Sequence, residues 1–185
     1  AYRLVAARHY SLGHFEDALS AAEADERLAA QAQGPAAHAG ALANLGVCLS
    51  ALGRVDAALK RAQAALAIWR RLALQRPDVH SADLATSLSN TANHLRDVGQ
   101  YEQGLTLSRE ALEIRRSLAS QRPDAYRAHL ATSLSNTANH LSDVGQYEQG
   151  LSLSREALEI RRSLAWQRPD AYRADLATSL SNTAN

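Results

Sequence analysis

Methionine is absent from the 185 residues, cysteine and phenylalanine occur once each, and aromatic side chains make up only 5% of the chain. A lone thiol, Cys48, excludes an internal disulfide framework, and a reducing, cytoplasmic compartment is expected. No apolar run approaches the ~20 residues needed to cross a bilayer. The opening segment AYRLVAARHY lacks the basic, apolar and small-residue regions of a signal peptide. With no Met at its head, the sequence is expected to be a piece of a longer chain. Lysine occurs once, as Lys60, so almost all basic residues are arginine, and 20 basic against 19 acidic residues leave a net charge of +1. No overall field therefore draws the chain to nucleic acid or to an anionic membrane.

What remains is rich in Ala and Leu and poor in Val, Ile and Phe, a composition that favours helix over sheet. It is also repetitive. LATSLSNTAN begins at Leu84, Leu130 and Leu176, a period of 46 residues. Residues 84–129 and 130–175 differ only at Arg96/Ser142, Thr106/Ser152, Ser120/Trp166 and His129/Asp175. A diverged copy, LANLGVCLSALGRVDAAL from Leu42, aligns with LSNTANHLRDVGQYEQGL from Leu88 at the same offset, and YRLVAARHYSLGHFEDAL from Tyr2 lies 40 residues earlier still. The shortfall falls near Gly34 and Pro35, in a loop.

Within one copy Leu84, Leu88, Thr91, Ala92, Leu95 and Val98 recur at helical spacing until Gly99 breaks the pattern. A second run, Tyr101, Leu105, Ser108, Ala111, Leu112 and Leu118, has the same period and stops at Arg122-Pro123-Asp124, where Pro forbids continuation and Asp124 is expected to cap the next helix. Each copy is thus a helical hairpin. Neither helix buries its stripe alone, so hairpins must stack into a solenoid. The expected units are 1–34, 35–77, 78–123, 124–169 and a partial 170–185, in a single array.

The residues Leu88, Thr91-Ala92, Leu95, Gly99-Gln100-Tyr101, Gly104 and Ala111 resemble the pattern of the tetratricopeptide repeat (TPR) family. Leu45-Gly46 keeps that family's dipeptide, and Gly13-His14-Phe15, Gly53-Arg54-Val55 and Gly145-Gln146-Tyr147 keep its turn. The resemblance implies an all-α fold, a right-handed α-solenoid of stacked helix-turn-helix hairpins. A period longer than the usual ~34 residues resembles kinesin-light-chain-type repeats and arrays appended to bacterial regulatory ATPases.

In such solenoids the first helices face a concave groove. The resemblance places Thr86, Ser89, Asn93, Arg96 and Asp97 there, then Thr132, Ser135, Asn139, Ser142 and Asp143, then Thr178, Ser181 and Asn185. Neighbouring helices lie ~8–10 Å apart, close to three residues of extended chain at ~3.3 Å each. Asn93, Asn139 and Asn185 are therefore expected to form a column, and an amide, being donor and acceptor, pairs with any peptide group. Proteins of the Pins/LGN type use an Asn in a Leu-Gly-Asn context matched here by Thr91-Ala92-Asn93. The alternative is that these residues only solvate the groove. A second column, Asn44, Asn90, Asn136 and Asn182, survives in the diverged copy and is expected to satisfy buried groups of neighbouring helices. The groove is expected to be apolar near Ala7, Ala43 and Val47 and polar beyond.

Asp97 and Asp143 stand near a helix C-terminus, where the dipole disfavours a carboxylate, so each is expected to have a compensating partner, with the start of the following helix the simplest. Arg70, Arg116 and Arg162, with Arg115 and Arg161 beside them, are expected on a solvated outer face, held by Glu113 and Glu159 three residues earlier. Cys48, His94 and His140 share one column and are expected to be packing residues, since no pair has metal-ligand spacing within a helix and neighbouring repeats lie too far apart to share zinc. The lack of lysine counts against a carboxylate clamp.

No phosphate loop, nucleophile elbow or paired-carboxylate motif occurs, so neither an enzyme nor a cofactor or metal is expected. The expected function is a scaffold that holds an extended or helical peptide of a protein partner in its groove, with no nucleic acid or membrane partner. The alternative is a structural, regulatory or self-associating arm of a larger STAND-type signalling ATPase, with self-association through an apolar C-terminal end at Leu176, Leu180 and Ala184.

Overall fold

The computed structural model describes residues 2–32 and 34–167, with side chains from Leu4 onward. The partial unit 170–185 lies outside the described residues. With it fall the expected groove residues Thr178, Ser181 and Asn185, the column member Asn182, and the apolar end expected to self-associate.

Eight α-helices make up the described chain: α1 (Tyr2–Ser11), α2 (Phe15–Gln31), α3 (Pro35–Ala51), α4 (Val55–Gln75), α5 (Pro77–Asp97), α6 (Tyr101–Gln121), α7 (Pro123–Asp143) and α8 (Tyr147–Gln167). The fold is all-α. No described helix is long and apolar enough to cross a membrane. The described residues fall into two compact units, one up to Gln100 and one from Tyr101 onward, so α1–α5 belong to the first and α6–α8 to the second. The division falls in the turn between α5 and α6.

Local chemistry explains where the helices start and stop. Pro35, Pro77 and Pro123 occupy first helical positions, where a missing N–H costs nothing and a fixed φ suits the helix. This corrects the expectation for Asp124. Arg122 is the N-cap of α7, no side chain closes that cap, and Asp124 lies inside the first turn, where its carboxylate opposes the positive end of the dipole.

Each first helix ends in the same reversal. Gly99 and Gly145, both at φ +78, supply the left-handed residue, and the next amide reaches back five residues: Gln100 N to Leu95 O and Gln146 N to Leu141 O, both 2.8 Å. This is the glycine-terminated helix end in which the last carbonyls are satisfied by amides beyond the turn. Gly53 and Gly13 keep the conformation in the earlier copies.

In the first unit each helix packs on its successor, and α3 also touches α1 and α5. One core cluster joins Ala6, Leu19, Ala22, Leu45, Leu49 and Ala58, and another places Trp69 with Ala39 and Leu72. In the second unit Leu112, Leu134 and Ala157 bring α6, α7 and α8 together. Leu88, Leu105, Leu134 and Leu141 are among the most deeply buried side chains, each worth roughly 1.5–3 kcal/mol of transfer from water.

Helix approach sets the size of two further residues. A Cβ at Gly46 would stand 3.3 Å from Ala58 O, and one at Gly150 would stand 3.0 Å from Ala138 O. These positions bring α3 against α4 and α8 against α7.

Candidate functional site

In the first unit the residues on the first helices line three adjoining clefts. The first, of about 430 Å³, is apolar and lined by Leu4, Ala6, Ala7, Tyr10, Asn44, Val47 and Cys48. The second, of about 290 Å³, is lined by Tyr10, Val47, Ser50, Ala51, Asn90, Asn93, His94, Arg96 and Asp97. The third, of about 310 Å³, lies among Ala36, Gly40, Ala43, Asn44, Trp69, Asp83, Thr86, Ser87 and Asn90. Tyr10 and Val47 join the first to the second, Asn90 the second to the third, and Asn44 the third to the first. The surface is apolar near Ala7 and Val47 and becomes polar toward α5, while Ala43, expected on the apolar part, lines the third cleft beside Asp83 and Asn90.

Of the groove residues expected on α5, Asn93, Arg96 and Asp97 share the second cleft and Thr86 lines the third. Ser89 is half-buried and donates to its own helix, Oγ to Ala85 O at 3.1 Å. The second asparagine column differs from its expected packing role. Asn44 and Asn90 are only half-buried and line clefts. No side-chain hydrogen bond engages Asn44, Asn90 or Asn93 among the described residues. Asn44 and Asn90 stand one turn before Val47 and Asn93, a helix position that turns them toward the clefts.

Asp97 is compensated, but by side chains of α3 and α5 where the start of the following helix was the partner expected: Ser50 Oγ donates to its Oδ2 at 3.5 Å, and His94 Nδ1 lies 3.7 Å from the same oxygen. His94 is 6% exposed. Burial pushes its pKa down, only partly offset by the Asp97 carboxylate, so the imidazole is neutral at and above neutral pH. Cys48 is likewise buried, and its thiol is pushed up by that burial. His140 is buried in the second unit, so all three members of the column pack into helix interfaces.

In the second unit Thr132, Asn139, Ser142 and Asp143 are exposed on α7. Thr132 and Ser142 donate to carbonyls one turn back, Ala128 O at 3.2 Å and Ala138 O at 3.1 Å. Asn136 and Asn139 have no side-chain hydrogen bond among the described residues. Ser135 is engaged by Arg161 Nη1 of α8 at 2.8 Å. This revises the arginine assignment. Arg116 pairs with Glu113 at 3.6 Å and Glu156 at 3.0 Å, and Arg162 pairs with Glu159 at 2.8 Å, as a solvated face requires. Arg115, however, is only 7% exposed and Arg161 is half-buried. These two stand one position round the helix, which turns them toward the seam with α7. Burial, reinforced by the Arg115 charge, holds the His129 pKa down.

Two family models, each described as tetratricopeptide repeat, match residues 83–163 and 38–74, together more than half of the sequence. No curated protein matches the sequence. Among solved structures, BtubC (BKLC) from P. vanneervenii is similar at a TM-score of 0.78 and 20% identity, with 98% of this chain and 68% of that one covered. The apo form of RapI is similar at 0.77 and 16% identity over 98% of this chain, which spans 60% of RapI's length. A Podosopora anserina kinesin light chain with nearly identical TPR-like repeats is similar at 0.70 and 18% identity, covering 99% and 85%. Family models, hairpin geometry and glycine-ended first helices agree: the chain belongs to the tetratricopeptide-repeat family, whose fold serves as a protein-interaction scaffold.

Proposed function

We propose that the chain is a binding module, not an enzyme, and that its first unit holds an extended segment of a protein partner along α1, α3 and α5. The observation that carries this is the set Asn44, Asn90 and Asn93. All three are half-buried on adjoining clefts, and none has a side-chain hydrogen bond among the described residues. A half-buried amide with both its donor and its acceptor open is suited to the main chain of a ligand.

Selectivity comes from the surroundings. The apolar cleft at Leu4, Tyr10 and Val47 takes an aliphatic or aromatic side chain, and Asp83 beside Trp69 favours a cationic one. Asn93, Arg96 and Asp97, which share the second cleft, are assigned to the ligand. Asn44 and Asn90 are added to it. On α7, Asn136 and Asn139 offer a second pair of amides. Thr132, Ser142 and Asp143 act beside them as polar lining, while Ser135 serves as an anchor for Arg161.

The reading is tested by selecting ligands from a random peptide library displayed on phage and measuring the best by fluorescence anisotropy. Asn44→Ala, Asn90→Ala and Asn93→Ala are each expected to weaken binding by about five- to tenfold, the loss of one hydrogen bond worth ~1 kcal/mol. Unchanged affinity in the triple variant, with helical content intact, overturns the assignment.

A further inference from the structure

The first hairpin departs from the others at three positions that meet in space. The reversal between α1 and α2 repeats the backbone of the later copies: His14 N reaches His9 O at 2.9 Å, as Arg54 N reaches Leu49 O at 2.9 Å and Gln100 N reaches Leu95 O at 2.8 Å. The side chains differ. His9 stands where Leu49, Leu95 and Leu141 are buried core residues. His14 replaces Arg54, Gln100 and Gln146, and Asp17 replaces Ala57, Gln103 and Gln149. One ligand atom from each of His9, His14 and Asp17 lies within 4.8 Å of the other two.

Two features of these side chains bear on what the trio can hold. His9 Nδ1 is shielded from solvent and has no hydrogen-bond partner among the described residues; the nearest Asp17 oxygen, at 3.7 Å, is beyond hydrogen-bond reach. An imidazole nitrogen left so costs about 1–3 kcal/mol. His14, at the N-cap of α2, makes no capping hydrogen bond, and its ring centroid stands 5.9 Å from that of His9.

We propose that His9, His14 and Asp17 form a site for a divalent transition-metal ion, of the zinc or cobalt class, clamping the first hairpin. Two imidazoles and a carboxylate are the donor set of such ions, with the remaining position open to water or to a partner's side chain. At metal–ligand bonds of ~2.0–2.2 Å, tetrahedral donors stand roughly 3.3 Å apart. The present separations, all within 4.8 Å, exceed that spacing by at most about 1.5 Å, and His14 and Asp17 are exposed. A search for ligands spaced along a single helix misses the site, because it spans the turn between two.

The test is titration of the untagged chain with zinc by calorimetry and with cobalt by visible absorption. One ion per chain is expected, with cobalt bands of a tetrahedral or five-coordinate complex. His14→Ala and Asp17→Asn, both at exposed positions, are expected to keep their helical circular dichroism and to weaken binding at least about tenfold, the loss that even an outer partner of a ligand produces. His129→Ala, in the second unit, is expected to leave it unchanged. Absence of saturable binding by the unaltered chain, or equal affinity in the His14 and Asp17 variants, overturns the proposal and leaves the trio as a histidine contact beside an ion pair.

Discussion

Ser108 Oγ and Thr137 Oγ1 lie 2.9 Å apart in the buried seam between α6 and α7. Thr137 also donates to Ser133 O of its own helix at 2.9 Å, so Ser108 is the donor of the pair. One repeat earlier the partners are Ala62 and Thr91, and Thr91 donates to Ser87 O at 2.8 Å. The threonine is thus self-sufficient and the serine is not. Thr137→Val strands a buried hydroxyl and is expected to cost about 1–3 kcal/mol, whereas Ser108→Ala recreates the first-unit arrangement and costs under about 1 kcal/mol. Urea denaturation of both variants and of the double variant checks this. The double variant is expected to recover most of the Thr137→Val loss.

Gly145 carries φ +78 with open space where a Cβ would stand. Gly145→Ala therefore meets only backbone strain, about 1–2 kcal/mol. Gly145→Asn is expected to cost less, because asparagine tolerates the left-handed region. Equal denaturation midpoints for the two variants would contradict this origin of the turn.

His94 is neutral in its seam because burial lowers its pKa below the ordinary 6.5. Above about pH 6.5 neither the folded nor the unfolded chain protonates it, and its contribution to stability is complete. As pH falls below that value, the unfolded chain binds a proton that the folded chain refuses, so stability declines until the folded pKa is passed. Thermal midpoints at pH 8, 6 and 5 are expected to fall in that order, and His94→Gln to flatten the decline.

Cys48 lies at the floor of the apolar cleft, 4% exposed, with its thiol pKa raised by burial. Reaction with an aromatic disulfide reagent at pH 8 is expected to be slow in the native chain and fast in urea. A peptide seated in the cleft is expected to slow it further. Native and unfolded rates that coincide would contradict the packing of α1 on α3.

The hairpins were legible because Leu84, Leu88, Leu95 and their counterparts repeat with the helical period, and because Gly99 and Gly145 end first helices where Pro77 and Pro123 start them. Faces a single residue apart, about 100° round a helix, were harder. Arg115 and Arg116 are neighbours with the same charge, yet one is buried and the other paired with two glutamates, and only the packing of α7 separates them. Asn44 persists in the diverged repeat as a packing residue would, but persistence does not reveal which way an amide points. Asp124 shows a simpler limit. Proline at the first helical position and aspartate at the cap both precede a helix, and the chain uses the proline.

The central claim, that Asn44, Asn90 and Asn93 hold a partner's main chain, is met most directly by observing their side-chain amides. In a sample labelled with nitrogen-15 at asparagine, addition of a selected peptide is expected to shift the amide resonances of these three and to slow their hydrogen exchange, with smaller changes at Asn136 and Asn139. Shifts that leave all three unmoved while the peptide binds would contradict the account.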